Sequence, residues 1–253
     1  MSLKTLEKSL EVLKCFTEEK SSWGVRELAN EINMNHSVVF RILKTFEEYG
    51  FLVQNTRTNK YELGLKFFEY SLIVSNKFKI SDVFYPYMKE LAESTGESVF
   101  LTWLDGNEGV CLLIAESDQT VKYTVSVGSR NPLYAGASHK VILAYLPREK
   151  QEQIIDKGII KFTDNTITNS ELIFEDLKKI KQQGWSYSIG EYTKDVAGIA
   201  VPIFNRHNTI VGSLTVATPS YRINDDKANE IIEKLNNTQK QLQHEILKHQ
   251  ITF

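Results

Sequence analysis

The sequence predicts an α+β chain in two parts, a small helical unit closed by a β-hairpin and a larger unit mixing helices with an antiparallel sheet. Three observations carry this. A length of 253 residues accommodates two ordinary domains. The first fifty or so residues repeat apolar side chains at helical spacing. From Glu97 onward the pattern switches repeatedly between alternating, strand-like runs bounded by turns and longer amphipathic runs.

The elements follow in order. Leu6, Leu10, Leu13 and Phe16, with Val12 between them, predict a packed helix over residues 3–17. "SSWG" breaks it, and Val25, Leu28, Ala29 and Ile32 form the apolar face of a second helix. "NMNHS" reads as a tight turn whose side chains cap a third helix, because Asn and Ser oxygens accept bonds from the free N–H groups of a first turn. That helix runs to Tyr49-Gly50, with Gly50 as its stop. "FLVQNTRTNKYEL" then supplies two β-prone runs around a polar turn at Asn55 to Asn59. Three helices and a hairpin make a winged helix-turn-helix, expected over residues 1–64. A connecting helix follows over 65–78, and the domain junction falls near residues 76–80.

The larger unit, 79–253, begins with a helix carrying Val83, Phe84, Tyr87, Met88 and Leu91. Asp105-Gly106-Asn107 is a strong hairpin turn between two strand-like runs. "TVKYTVSVG" alternates as a strand does, "ASHKVILAYL" reads as a helix, and "ITNSELIFEDLKKIKQQGW" as a capped amphipathic helix. "GIAVPIF" and "TIVGSLTVAT" flank a polar turn at Asn205 to Asn208, and a charged helix spans Asp225 to Lys248.

Composition narrows the function classes. With 42% hydrophobic and 25% charged residues the chain is of globular type. A net charge of -2 removes strong overall basicity as a sign of nucleic-acid binding, so any such activity must be local. Cys15 and Cys111 form no C-x-x-C site; they fit a reducing, cytoplasmic compartment and read as buried small hydrophobes. No apolar run reaches the ~18 residues of a membrane span, so no membrane partner is expected.

The local candidate is "HSVVFRILKTFEEYGFL". Val39, Ile42, Leu43 and Phe46 mark its buried stripe, leaving Ser37, Arg41 and Lys44 outward with Phe40 at the flank and Glu47 and Glu48 trailing. A recognition helix reads the major groove through its N-terminal residues, which keeps those acids clear of phosphates. Asn35, His36, Ser37 and Arg41 would then reach base edges or nearby phosphates, and Arg57 and Lys60 at the hairpin would contact backbone. Two other readings stand beside this one, a merely solvated face and a winged helix that docks a protein. The tight turn before the helix and the basic hairpin after it favour double-stranded DNA. Acids about balance bases over the first seventy or so residues, so one copy should bind weakly and a dimer should cover two half-sites.

These residues carry a resemblance. "VRELANEINMNHSVVFRILKTFEEYGFL" and "YELGLKFFEY", followed by "SVFLTWLDGNEGVCL", "NPLYAGASHKVILAYLP", "SIGEYTKDVAGIAVPIF" and "IVGSLTVATPSYRI", resemble in order the IclR family of bacterial transcription regulators. The resemblance implies a linker helix and a GAF-like α/β domain binding a small-molecule effector, often an organic acid or aromatic compound, in a homodimer or homotetramer. Its effector positions correspond here to Ala137, Ser138, Ser188, Val196, Gly198, Thr215 and Ala217, and it implies no cofactor. The chain departs from the family at His139, which precedes Lys140 where a small residue and then Gly are usual before the Lys, at an acidic run reduced to Ser188-Ile189-Gly190-Glu191, and at Ala197-Gly198 in place of an Arg-Cys pair. His139 and Glu191 therefore join the expected effector set.

By chemistry alone, the helix start at "AGASHK" offers free N–H groups and a positive dipole end to a carboxylate. The bland alternative is equally open: Ser138 a cap, Lys140 solvent-facing and Gly136 a turn former. An enzyme is disfavoured, because the adjacent Ser138 and His139 should point apart on a helix. His36, His139, His207, His244 and His249 lack metal-ligand spacing, and there is no phosphate-binding glycine loop. No catalytic and no metal-ligating residue is assigned.

Overall fold

The computed structural model describes residues 3–17, 19–78 and 80–248. The chain divides into two compact units, Met1–Lys77 and Phe78–Phe253; Lys79, inside the expected junction, lies outside the described residues.

The first unit contains α1 (Lys4–Lys14), β1 (Ser22–Trp23), α2 (Val25–Glu31), α3 (His36–Glu48), β2 (Leu52–Gln54), β3 (Tyr61–Leu63) and α4 (Leu65–Phe78). Its core packs Val12, Trp23, Leu28, Val39, Leu43 and Tyr61. The "SSWG" break contributes β1, which pairs antiparallel with β3 at Trp23↔Tyr61 and makes the wing three-stranded in the order β1-β3-β2. Two residues are too few to show alternation, so this strand left no signal in the sequence. Trp23 Nε1 fixes it by donating to the Cys15 carbonyl at 2.8 Å.

The packed face expected of α1 is only half realised. Val12 and Phe16 are buried, but Leu6 is 55% and Leu10 49% exposed. Helical spacing identified the stripe correctly, yet the described residues leave its first two turns about half exposed. Cys15 is likewise half-buried, where full burial was expected.

The second unit contains α5 (Ile80–Thr95), β4 (Ser98–Asp105), β5 (Glu108–Ala115), β6 (Arg130–Pro132), α6 (Ala137–Tyr145), α7 (Arg148–Ile155), α8 (Ser170–Gln183), β7 (Ser186–Ile189), β8 (Val196–Phe204), β9 (Ile210–Pro219), a 3-10 turn (Ser220–Arg222) and α9 (Asp225–Lys248). Six strands form one sheet in the order β6-β5-β4-β9-β8-β7, with every neighbour antiparallel. Strand alternation sorts the side chains. Val99, Leu101, Ile199, Val201, Leu214 and Val216 face one way into a core shared with Phe84 and Met88 of α5 and Ile231 and Leu235 of α9. Ala200 and Ile210 join the opposite core with Val141 and Leu143 of α6 and Ile173 and Leu177 of α8. On that second side Phe100, Cys111 and Ala217 form a separate small cluster.

Two corrections arise here. "TVKYTVSVG" forms no strand. Its alternation is real but serves packing: Tyr123 and Val125 turn inward against the Phe100 cluster, and ladder-like bonds begin only at its end, from Gly128 N to Cys111 O and beyond it from Cys111 N to Ser129 O, among the described residues. The short α7 went unread because "REKQEQII" carries just two adjacent apolar residues, Ile154 and Ile155. It is held by Gln151, whose Nε2 donates to the Leu143 carbonyl at 2.9 Å and the Leu146 carbonyl at 3.1 Å, closing the end of α6. Among the described residues, no helix is long and apolar enough to cross a membrane.

Candidate functional site

In the first unit, α3 presents the expected outer face. Asn35 caps it with Oδ1, accepting from Ser37 N–H at 2.9 Å and from Ser37 Oγ at 2.7 Å. Asn35 and Ser37 thus fix the helix start, and their oxygen atoms are engaged with one another. His36, Ser37 and Arg41 are exposed, and Phe40 is 43% exposed beside them. Lys44 pairs with Glu47 at 2.7 Å, so one of the trailing acids partly neutralises it. On the wing Lys60 lies 3.2 Å from Glu27, which also pairs with Lys20 at 2.8 Å. Those bonds and the Gly24 N–H hold the Glu27 carboxyl near pKa 2. Among the described residues, the side chains of Arg41 and Arg57 have no ion-pair partner, which leaves them as the cations of this face open to phosphate or base edges.

In the second unit, the nine residues expected of an effector site come together. Ala137, Ser138, His139, Ser188, Glu191, Val196, Gly198, Thr215 and Ala217 all line one cavity of about 80 Å³ between the sheet and the start of α6. The alternation that sends Val99, Leu214 and Val216 away from α6 turns Phe100, Thr215 and Ala217 towards it. Gly136, at φ +82, opens α6 in a backbone conformation that side chains other than glycine rarely adopt.

Two of the N–H groups at the helix start are taken from within the protein. Gly136 N–H donates to Glu191 Oε2 at 3.2 Å and Ala137 N–H to Ser188 Oγ at 2.9 Å. Lys140 is not solvent-facing: its side chain is 1% exposed, and Nζ bonds Asp176 at 2.7 Å and Glu191 Oε1 at 2.5 Å. Glu191 therefore bridges the helix start and the buried ammonium. Its own segment is clasped by residues 163–166, with Thr166 Oγ1 donating to the Glu191 carbonyl at 2.7 Å and Asn165 Nδ2 to the Ile189 carbonyl at 3.2 Å.

His139 packs its ring over β5. A Cβ on Gly109 would sit 2.5 Å from the His139 Cδ2, so the imidazole occupies space that only glycine leaves. Burial lowers the His139 pKa to about 4, and the ring is uncharged near neutrality. Contrary to the helical expectation, Ser138 Oγ and His139 Nδ1 do meet, at 2.9 Å. An imidazole that weakly basic is a poor general base for the hydroxyl. Burial raises the Cys111 thiol to about 11, so it stays protonated as a soft wall.

The sequence profile described as "Bacterial transcriptional regulator IclR C-terminal" matches residues 73–244, and that of the "IclR helix-turn-helix domain" matches residues 5–56. The chain belongs to the IclR family. It is 32% identical to the HTH-type transcriptional regulator KipR of Bacillus subtilis, over 96% of this chain and 97% of that one. A putative IclR transcriptional regulator from Silicibacter sp. TM1040 superposes with a TM-score of 0.87 at 25% identity, over 96% of each chain. An IclR homolog from Microbacterium hydrocarbonoxydans, solved in complex with 4-hydroxybenzoate, gives 0.84 at 21% identity over 97% of this chain and 99% of that one.

The protein is thus an IclR-type transcriptional regulator, with a DNA-binding helix-turn-helix and a C-terminal effector domain, and not an enzyme. Several wall residues of the IclR-type cavity escaped sequence reasoning: Phe100, Thr102, Cys111, Tyr123, Val125, Ser129, Asn131, Gly136, Tyr192 and Thr193. For four of them a signal existed. Phe100 and Thr102 share one face of an alternating strand, and Tyr123 and Val125 share one face of "TVKYTVSVG". Ser129 and Asn131 sit in irregular chain whose place only the fold determines.

Proposed function

We propose that this chain acts in the cytoplasm as a homodimer or homotetramer that binds a double-stranded operator through residues 1–64, and that a small molecule in the cavity of the 79–253 domain modulates that binding through the 65–78 helix. The observation that carries the reading is the convergence of nine residues, drawn from α6, β7, β8, β9 and the Glu191 loop, on one cavity. Base and phosphate contacts are assigned to His36, Ser37, Phe40, Arg41 and Lys44 on α3, with Arg57 and Lys60 on the wing and Asn35 anchoring the helix start. Self-association is supported by the uncovered apolar residues Leu6 and Leu10 of α1 and Leu65, Phe68 and Ile73 of α4.

Family resemblance offers organic acids and aromatic compounds as effectors, and 4-hydroxybenzoate, found in the Microbacterium homolog, is both. Aromatic walls at Phe100, Tyr123 and Tyr192 support a planar ligand. The cavity of about 80 Å³ is smaller than the roughly 150 Å³ that admits benzene elsewhere, so a ligand of few atoms enters directly and a ring requires the wall to yield. Coupling needs an effector that prefers one arrangement of the assembly, since equal affinity shifts nothing.

Fluorescence anisotropy of the full chain on duplex from its own upstream region tests this. The expected result is binding that falls steeply with salt, as phosphate contacts release counterions, and that changes when a cavity ligand is added. Absence of binding at low salt refutes the DNA reading, and unchanged affinity at saturating ligand refutes the coupling.

A further inference from the structure

The walls of the cavity differ in how far they can give way. Tyr123, Val125, Tyr192 and Thr193 stand on irregular chain, and the two segments that carry them touch through Tyr123 Oη and Thr193 Oγ1 at 3.4 Å. Phe100, Thr102, Thr215 and Ala217 stand on β4 and β9, each paired with a strand on both sides, and cannot retreat without breaking a ladder. Of the residues that α6 contributes, Ala137, Ser138 and His139, only His139 is bulky.

The His139 imidazole has nowhere to withdraw. Behind it runs β5: a Cβ on Gly109 would stand 2.5 Å from His139 Cδ2, 2.9 Å from its Nε2 and 2.8 Å from Thr102 Cγ2, so ring, strand and threonine already meet. On the other side Nδ1 is held by Ser138 Oγ at 2.9 Å. Close-packed interiors resist displacement of a side chain lodged in this way. The cavity of about 80 Å³ falls short of the roughly 150 Å³ that a benzene ring occupies elsewhere. That shortfall is on the scale of one side chain, and His139 is the side chain whose loss would make it good.

We infer that His139 sets the upper size limit on the effector, confining the cavity to compounds of a few non-hydrogen atoms and disfavouring a six-membered ring. The inference rests on the cavity being the effector site and concerns which ligands fit it.

Lactate and 4-hydroxybenzoate, both singly charged hydroxy acids, differ chiefly in size and test this by calorimetric titration of the full chain. The native chain should bind lactate about tenfold or more tightly than 4-hydroxybenzoate, because overfilling a packed wall is costly. His139→Ala should raise 4-hydroxybenzoate affinity by about tenfold and leave lactate affinity nearly unchanged. The ring is uncharged near neutrality, so this variant changes volume and not charge. His139→Leu restores bulk without the ring nitrogens and should keep the native preference. Three results overturn the size limit while the effector cavity stands: 4-hydroxybenzoate binding the native chain as tightly as lactate, an unchanged affinity ratio in His139→Ala, or His139→Leu behaving as His139→Ala does. No binding of either acid to any of the three proteins overturns both.

Discussion

Lys140→Met isolates the central ion cluster of the effector domain. Methionine matches lysine in length and in helix propensity, so α6 itself should be unaffected. The variant leaves Asp176 and Glu191 without the ammonium that now lies 2.7 Å and 2.5 Å from them. Removing one member of a buried pair costs about 3–5 kcal/mol, because the remaining charge is stranded. Glu191 is 10% exposed and pays nearly all of that, whereas Asp176 is 29% exposed and recovers some hydration. The lower end, about 3 kcal/mol, is therefore expected, or roughly 6–12 °C in the unfolding midpoint of a domain this size. Urea unfolding of the full chain, followed by tryptophan fluorescence, provides the measurement. The double variant Lys140→Met/Glu191→Gln should recover at least about 1 kcal/mol of the loss, since the two groups are coupled. A single-variant loss below about 1 kcal/mol, or strictly additive effects, refutes the reading of Lys140, Asp176 and Glu191 as one coupled buried ion cluster.

His139, with its pKa lowered from 6.5 to about 4 by burial, makes stability pH-dependent. The unfolded chain binds more protons between those values, so this contribution is complete above about pH 6.5 and is lost as pH falls toward 4, at up to about 1.4 kcal/mol per unit. Urea midpoints at pH 7, 6 and 5 should decline more steeply in the native chain than in His139→Gln; equal slopes rule it out. A Gly198→Ala methyl would stand 3.4 Å from Ala137 Cβ and 3.9 Å from Thr215 Cγ2, ordinary contacts, so the fold should survive. Ligand affinity should fall on the order of tenfold as the cavity narrows, as read by titration of a small organic acid or aromatic compound that binds the native chain. Arg41→Ala should lose about 1–3 kcal/mol of discrimination between operator and scrambled duplex if its contact is bidentate to a base, and retained preference removes Arg41 from the readout.

Sequence pattern revealed those elements whose periodicity and environment agree. Val39, Ile42 and Leu43 mark α3 because one face of that helix is wholly covered, and Asp105-Gly106-Asn107 marks the β4–β5 hairpin because its turn chemistry is local. Leu6 and Leu10 misled because periodicity reports an apolar stripe and is silent on what covers it. "TVKYTVSVG" misled because alternation records which side chains point inward and not whether the backbone finds a ladder. Within the cavity, resemblance supplied seven wall residues and the chain's departures from it supplied His139 and Glu191, but the state of their polar atoms could not be read from sequence. That Lys140 is buried, and that Glu191 takes the N–H of Gly136, depend on chain segments brought together across residues 136–191.

The antiparallel order β6-β5-β4-β9-β8-β7 also governs when sensing becomes possible during the chain's own assembly. β4 completes its second ladder only with β9, at Ser98↔Ala217, and Thr215, one face of the cavity, arrives on that late strand. Closing so long a loop precedes any reward from the contacts it makes, which slows folding. On a ribosome, α3 and its wing emerge long before the partner strands of the cavity exist. A nascent chain can therefore hold a finished DNA-reading surface for a period in which it is deaf to its signal.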